Sequence, residues 1–311
     1  MIKRLNMLLM LAVNLFTMQA ESDFKKIPVG GQAVIEGVLM KGKNLWGLAV
    51  RRPAGDIFHE NWPHSSRTQR MPYKLPLVRG VVTMCEMMAT GFKALSRSAE
   101  VALEESQEKL TFKDILLSIA IAIFAVGGLF IALPLWLAGR LADTPLHVNI
   151  LEGILRAVIF VSYVAIIGLW SDIREVFRYH GAEHKTINAF EKGLAMTPDN
   201  IMKCSRIHPR CGTSFLLIAV IVSIIIFSPI KTLIAGENFA LQVLARIILI
   251  PLVIGISYEI IRFASKSGTL GLCLISPFLT LQYLTTREPD IKQAEVALIS
   301  LDTALDGGLL S

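Results

Sequence analysis

The sequence has few cysteines and few charged residues, and each shortage limits what the protein can be. Its four cysteines, Cys85, Cys204, Cys211 and Cys273, contain no C-x-x-C pair, and the cytoplasmic placement argued below excludes disulfides. Charged residues make up only 18% of 311 positions, apolar residues make up 53%, and the mean hydropathy is +0.56. This composition is typical of a membrane protein and not of a soluble domain.

Long apolar runs are abundant, and a bilayer crossing needs about 20 apolar residues. We predict an α-helical integral membrane protein with four transmembrane helices. They lie at Ile115–Ala138, Ile154–Trp170, Ser214–Leu233 and Leu241–Ile261. A fifth run, Thr269–Leu284, contains Pro277 and is expected to form a re-entrant or interfacial helix.

Basic residues alternate between the loops and predict the orientation. Four precede the first span, Arg140 alone follows it, and seven lie in the loop 171–213. The positive-inside rule then places both termini and this loop in the cytoplasm, so we expect a multi-pass protein of the inner (cell) membrane. Anionic lipid accounts for the formal charge of +6, so the lipid bilayer is the expected partner and no nucleic acid is needed.

The pattern along the chain predicts four regions. Residues 1–27 form an N-terminal extension that resembles a signal peptide; export would contradict the charge rule, so we favour an uncleaved interfacial helix or an upstream start codon. Residues 28–110 form a small β-rich cytoplasmic domain with an amphipathic helix, including a hairpin of Trp46–Arg51 and Ile57–Asn61. The transmembrane domain covers residues 111–285, with its His-rich loop 171–213, and a C-terminal cytoplasmic helix occupies 286–311.

The run His180-Gly-Ala-Glu-His184 has the H-x-x-E-H form of inverted zinc-protease motifs. On a helix, His180 and His184 are about 40° apart in azimuth and roughly 6 Å apart in rise, so both imidazoles can bind one metal. Glu183 lies about 60° to the side, where its carboxylate could accept a proton from water. The alternative is a surface helix with solvated His and Glu residues.

A second cluster, His208-Pro-Arg-Cys211, lies in the same polar loop and offers a third ligand. Glu191 shares the stripe of His180 but lies some 10 Å beyond His184 along the helix, too far for a bond of about 2 Å. We rank His208 first, Cys211 second and Glu36 third. Three ligands and an open position would make a catalytic site, whereas His180, His184, His208 and Cys211 together would make a closed structural site.

Four motifs resemble the YqhQ family of bacterial membrane proteins, which are described as predicted metal-dependent enzymes. The motifs are Gly30–Gly37, Tyr179–Lys185, His208–Phe215 and Leu284–Pro289, and the resemblance covers about residues 28–305. It implies an integral membrane protein with a metal site but no known substrate. Within the first motif, Gln32 and Glu36 are candidates for lining a substrate cleft.

Three functions follow from these features. The first is a hydrolase that uses a zinc-like divalent metal and acts on a peptide or lipid-linked substrate, with Glu183 as general base and Arg210 or Lys185 stabilising the oxyanion. The second is a non-enzymatic scaffold or assembly factor with a structural metal. A transporter is disfavoured because the spans lack a midplane set of polar residues, Glu152 and Arg156 being interpreted as an i, i+4 pair at the outer end of a span.

Overall fold

The computed structural model describes residues 29–103, 112–227 and 238–309, so the predicted extension 1–27 lies outside the described residues. Within them the protein has a small antiparallel sheet and a larger set of helices. The strands are β1 (Gly30–Val34), β2 (Gly37–Lys41), β3 (Leu45–Arg51) and β4 (Ile57–Pro63). The helices are α1 (Val78–Ala102), α2 (Phe112–Gly127), α3 (Leu133–Leu141), α4 (Pro145–Ile167), α5 (Ser171–Glu191), α6 (Pro198–Met202), α7 (Gly212–Phe227), α8 (Phe239–Lys266), α9 (Gly268–Leu279), α10 (Gln282–Thr285) and α11 (Ile291–Ala304).

The four strands pair in sequence order, β1-β2-β3-β4, with every pair antiparallel. The predicted hairpin is confirmed, because Arg51 pairs with Ile57 across a turn in which Gly55 has a φ of 94°. A left-handed φ of this kind costs glycine little. The predicted β-rich region is therefore a four-stranded sheet, followed by the amphipathic helix α1.

The C-terminal helix α11 packs on the sheet and on α5. Gly47 of β3 allows the close approach, because a Cβ atom there would lie 2.4 Å from the Ser300 carbonyl oxygen. The Ser300 hydroxyl donates to the Gly47 carbonyl oxygen at 2.9 Å. One buried apolar cluster joins strand residues with Tyr179 of α5 and Leu301 of α11. The sheet, α5 and α11 thus form one packed unit around the second half of α5.

Three helical segments are long and apolar enough to cross a membrane: Ala120–Leu141, Pro145–Ile167 and Phe239–Ala264. The first runs from α2 into α3 through a π-helical turn, Gly128–Ala132. These segments overlap the first, second and fourth predicted spans. The third predicted span corresponds to α7, which has 16 described residues, and its remaining part lies outside the described residues. Three candidate spans are therefore established, and a count of four is not.

Helix α9 has only 12 residues and contains Pro277, so it is too short to cross a bilayer as a single helix. It is followed by the one-turn helix α10 and an extended segment that leads to α11. Thr286 is extended, with a ψ of 142°. This stretch brings the end of the fifth apolar run back towards α5.

A buried ionic cluster joins the spans and corrects the interpretation of Glu152 and Arg156 as an isolated pair on one helix. Arg246 of α8 is fully buried and donates two hydrogen bonds to Glu152 of α4, at 2.8 and 2.6 Å. Arg156 pairs with the same carboxylate and donates to the Ser223 hydroxyl of α7 at 2.7 Å. Each group has a partner, as buried charges require. The cluster ties α4, α7 and α8 together.

Candidate metal centre

Helix α5 carries the first motif, and its second half is buried. Its first half is a mixture of exposed and half-buried residues, whereas Gly181 to Ile187 are all buried. The four-residue spacing places the rings of His180 and His184 on one face, with their centroids 4.4 Å apart. The helical geometry that the sequence predicted for these two histidines is thus present.

Cys211 joins the two histidines from the turn that precedes α7. One ligand atom from each of His180, His184 and Cys211 lies within 4.8 Å of the others, and the Cys211 Sγ is 3.3 Å from the His180 Nε2. In a tetrahedral zinc site, bonds of about 2.0–2.1 Å to nitrogen and 2.3 Å to sulfur place such atoms roughly 3.3–3.6 Å apart. The distance between Cys211 and His180 matches this spacing, and the other ligand-atom separations are bounded by 4.8 Å, so the three side chains form a candidate site for a zinc-like ion.

Both imidazoles are held in the same tautomer by backbone carbonyls. The Nδ1 of His180 lies 2.8 Å from the Thr285 carbonyl oxygen, and the Nδ1 of His184 lies 2.6 Å from that of Arg206. A carbonyl only accepts, so Nδ1 carries the proton and the Nε2 lone pair is free for a metal. Burial and the neighbouring His180 also lower the pKa of His184, which favours the neutral, metal-binding form.

His208, the first choice for the third ligand, has other partners. Its Nε2 lies 3.3 Å from the Glu191 Oε2, and its ring centroid is 5.8 Å from that of His184. Although burial opposes it, hydrogen bonding from His208 and the charge of Arg210 hold the pKa of Glu191 below its usual range. Among the described residues, the structure brings Cys211 to the two histidines and leaves His208 outside the group.

Glu183 is buried beside the two histidines and faces the sheet. A Cβ atom on Gly31 of β1 would lie 3.2 Å from the Glu183 Oε1, and the Oε2 has no hydrogen-bond partner among the described residues. Burial raises the pKa of this carboxyl to about 7, although His180 and the Gly31 backbone oppose the shift. A buried carboxylate oxygen without a partner marks a position where a further polar group is expected.

The two cationic candidates are engaged in ion pairs. Lys185 is buried, and its Nζ lies 2.5 Å from the Glu288 Oε1 and 2.8 Å from the Met202 carbonyl oxygen. Arg210 pairs with Glu191 and donates to the Val29 carbonyl oxygen at 3.2 Å. Both side chains therefore cross-link the segments around the centre.

The two proposed cleft residues lie on the sheet near α5. Gln32 of β1 packs against α1, because a Cβ atom on Gly91 would lie 2.4 Å from its Nε2. Glu36 lies in the β1–β2 turn and accepts a hydrogen bond from the Tyr179 hydroxyl at 3.2 Å. Burial raises the pKa of Glu36. Glu36 thus contacts the residue before His180 but is not part of the three-ligand group.

Sequence reasoning missed Gln282, which positions the turn that carries Cys211. Its Oε1 accepts from the His208 backbone N–H at 2.9 Å, and its Nε2 donates to the His208 carbonyl oxygen at 2.8 Å. The same Nε2 lies 3.0 Å from the Ser214 hydroxyl oxygen. Gln282 is completely buried, so all three bonds are shielded from water. In the sequence, a glutamine near the end of an apolar run was the feature that could have indicated a buried hydrogen-bonding role.

The role of Thr285 and Gly181 was also missed, although both lie in quoted motifs. Thr285 supplies the carbonyl for His180, and a Cβ atom on Gly181 would lie only 2.0 Å from the Arg287 carbonyl oxygen. The glycine between the two ligands therefore lets the segment after α10 lie directly on α5. A glycine between two candidate ligands was the signal in the sequence that another part of the chain approaches the helix closely at this point.

Comparisons with known proteins agree with the resemblance seen in the motifs. Residues 75–307 match the family described as "Protein of unknown function (DUF1385)". The chain is 33% identical over 302 residues to the "Uncharacterized protein YqhQ" of Bacillus subtilis (strain 168), covering 90% of this chain and 93% of that protein. No solved structure matches. The chain therefore belongs to the DUF1385 family and is a YqhQ-like protein.

Proposed function

We propose that this protein is a metal-dependent hydrolase with its site at the cytoplasmic face of the membrane. The observation that supports this most is the convergence of His180, His184 and Cys211, whose ligand atoms lie within 4.8 Å of one another. Two nitrogen donors and one thiolate suit a zinc-like ion, and three protein ligands leave a position open. A divalent metal held there would supply a Lewis acid to a substrate oxygen.

Glu183 is the proposed general base. Its buried carboxylate has one oxygen, Oε2, without a partner among the described residues, so it can accept a proton from a water molecule. Arg210 is the proposed stabiliser of negative charge on the substrate, because it directly precedes Cys211 and, although paired with Glu191, is more exposed than Lys185. Lys185 pairs with Glu288 and is better suited to holding that segment in place.

The membrane placement includes a fourth span. The sheet, α5 and α11 contact one another and must lie on one side of the membrane. Two candidate spans separate the sheet from α5, but α8 is the only established one between α5 and α11 in the described chain. An even number of crossings is required, so α7 is proposed as the second span between α5 and α11. The positive-inside rule makes the shared side cytoplasmic.

A structural metal in a scaffold or assembly factor is the second candidate. The burial of His184 and Cys211 favours it, because structural zinc sites are typically closed to solvent. The two functions differ in what they require of Glu183. A base is needed for turnover, whereas a structural ion needs only its ligands.

The test is Glu183→Gln, which removes the basic oxygen and preserves the shape of the side chain. The variant should keep the wild-type membrane level and about one zinc-like ion per chain by elemental analysis, because the three ligands remain. It should fail to complement a strain lacking the gene. Asp172→Asn, an equal charge change at the exposed start of α5, should complement fully. Full complementation by Glu183→Gln would instead favour the scaffold.

A further inference from the structure

A second concave site, here called the basic pocket, lies beside the metal centre. It is a cavity of about 520 Å³ between the end of α4 and the segment that follows α10. Four arginines line it, Arg174, Arg178, Arg206 and Arg287, together with Glu288 and Leu169. This volume is within the range of small-molecule sites, which is about 300–1,000 Å³.

The positive charge of the basic pocket is only partly compensated. The Glu288 Oε1 lies 2.5 Å from the Lys185 Nζ, and its Oε2 lies 3.9 Å from the Arg206 Nε. The carboxylate of Glu288 therefore pairs mainly with Lys185. Arg178 pairs with Glu175, and Arg174 donates to the Leu169 carbonyl oxygen at 2.9 Å. The Arg287 Nε is buried and has no hydrogen-bond partner among the described residues. The four arginines and Lys185 therefore carry more positive charge than Glu288 and Glu175 can neutralise.

The pocket lies at the end of the candidate span of α4. Leu169 and Trp170, just after the span Pro145–Ile167, are 67% and 64% exposed. On the other side, Tyr283 is exposed and the Arg206 guanidinium lies 5.5 Å from its ring centroid. Exposed apolar and aromatic residues next to arginines are typical of the interface between lipid tails and headgroups. A ligand can therefore reach the pocket from the bilayer.

The same backbone segments build the basic pocket and the metal centre. The Arg206 carbonyl accepts from His184, and the Thr285 carbonyl, two residues before Arg287, accepts from His180. The Arg287 carbonyl oxygen lies against Gly181, between the two histidines. A ligand anchored in the pocket is thus next to the three candidate metal ligands.

We propose that the basic pocket binds a phosphate group, and that an anionic lipid carries it. Guanidinium forks pair with phosphate oxygens through two parallel hydrogen bonds, and a phosphate has enough oxygens for several arginines. The site would hold the headgroup of a phospholipid while its acyl chains stay in the bilayer. The inference that a phosphate-bearing lipid is the substrate rests on the proposed hydrolase function. The inference that the pocket binds such a lipid does not.

The test uses the full chain purified in neutral detergent. Short-chain phosphatidic acid, the matching diacylglycerol and inorganic phosphate are titrated separately. Tryptophan fluorescence reports binding, since Trp170 directly follows Leu169, which lines the pocket. Phosphatidic acid should bind saturably and diacylglycerol should not. The Arg174→Gln, Arg287→Gln double variant should bind phosphatidic acid at least about tenfold more weakly, because two charge-assisted contacts are lost. Arg140→Gln, at the end of α3, is the matched control and should bind like the wild type.

The titration with inorganic phosphate distinguishes a lipid headgroup from a soluble phosphate as the ligand of the pocket. Binding of phosphatidic acid with weak or absent binding of inorganic phosphate supports the lipid, whereas equal binding of inorganic phosphate supports the pocket with a soluble phosphate ligand and refutes the lipid. Unchanged affinity in the double variant, or no binding to either probe, overturns the proposal. The single variant Arg174→Gln changes only an exposed side chain, so weaker binding in this variant is not due to misfolding of the protein. Metal content is measured in parallel, so failure of the metal centre and failure of the pocket are distinguishable.

Discussion

At the scale of single residues, Cys211 and His208 differ in which of them lies beside the two motif histidines. They are three positions apart, yet the Cys211 Sγ lies 3.3 Å from the His180 Nε2 while the His208 Nε2 faces Glu191. The sequence offered both residues as candidates, since histidine and cysteine are both common zinc ligands, and it ranked His208 first. The turn that contains them determines which side chain reaches the centre.

Cys211→Ser should therefore abolish tight metal binding, and His208→Ala should retain it. A hydroxyl replaces the only sulfur ligand in the group, and loss of a partner that merely orients a ligand already costs about 10–100-fold in affinity. Competition with a chromogenic chelator measures both affinities. Loss of metal in His208→Ala at wild-type protein level, with retention in Cys211→Ser, would reverse the assignment.

At the scale of elements, the contact between α5 and the segment after α10 holds the histidine rings. The backbone N–H of Arg287 donates to the Phe177 carbonyl oxygen at 2.8 Å, and its carbonyl oxygen lies over Gly181. Thr285 then accepts from His180. Because three successive contacts depend on this close approach, a small change on α5 should displace the segment.

Gly181→Ala should destabilise the protein by about 1–3 kcal/mol, the usual cost of overpacking. The added Cβ atom would lie 2.0 Å from a backbone oxygen, so the segment must move and the acceptor of His180 moves with it. Thermal unfolding in detergent gives the change in stability, and elemental analysis gives metal occupancy. Gly212→Ala is the control, because among the described residues a Cβ there would have no atom within 4 Å beyond its own helix and chain neighbours. Equal stability of the two variants would contradict the argument.

At the scale of the whole molecule, two separate groups of contacts connect the helices. The sheet, α5 and α11 surround the metal centre, and the ionic cluster of Glu152, Arg156 and Arg246 lies among α4, α7 and α8. Helix α7 begins next to Cys211 and reaches the ionic cluster through Ser223. The end of α8 contacts α1, where Glu259 pairs with Arg79, and α1 in turn packs on the sheet. Helix α7 thus links the candidate metal centre to the ionic cluster.

This arrangement predicts the side of the membrane on which each loop lies. Reporter fusions after Gly193 and after Leu309 should both report cytoplasm, because α5 and α11 are packed together. A fusion after Asp143, between α3 and α4, should report the opposite side. Alkaline phosphatase and green fluorescent protein are suitable reporters. Opposite results from the fusions after Gly193 and Leu309 would refute the proposed span of α7.

Much of the fold followed from local patterns. The alternation and turn of Trp46–Asn61 predicted the hairpin, and apolar runs predicted the helices that became the three candidate spans. The helical spacing of His180 and His184 predicted their shared face. Glu183 was singled out by its place in the motif, but its burial against Gly31 depends on a strand about 150 residues earlier in the chain. Such a contact has no periodic signature in the sequence.

By itself, the sequence determined the class of protein, the family and the shared helical face of His180 and His184, because length, hydropathy and a spacing of four are properties of neighbouring residues. Only the tertiary structure placed Cys211 rather than His208 beside the two histidines, brought Arg246 to Glu152, and assembled four arginines from three segments into the basic pocket. These outcomes depend on how distant elements pack. The partner of a side chain that lies far away in the sequence can be assigned only when the positions of both backbone segments are known.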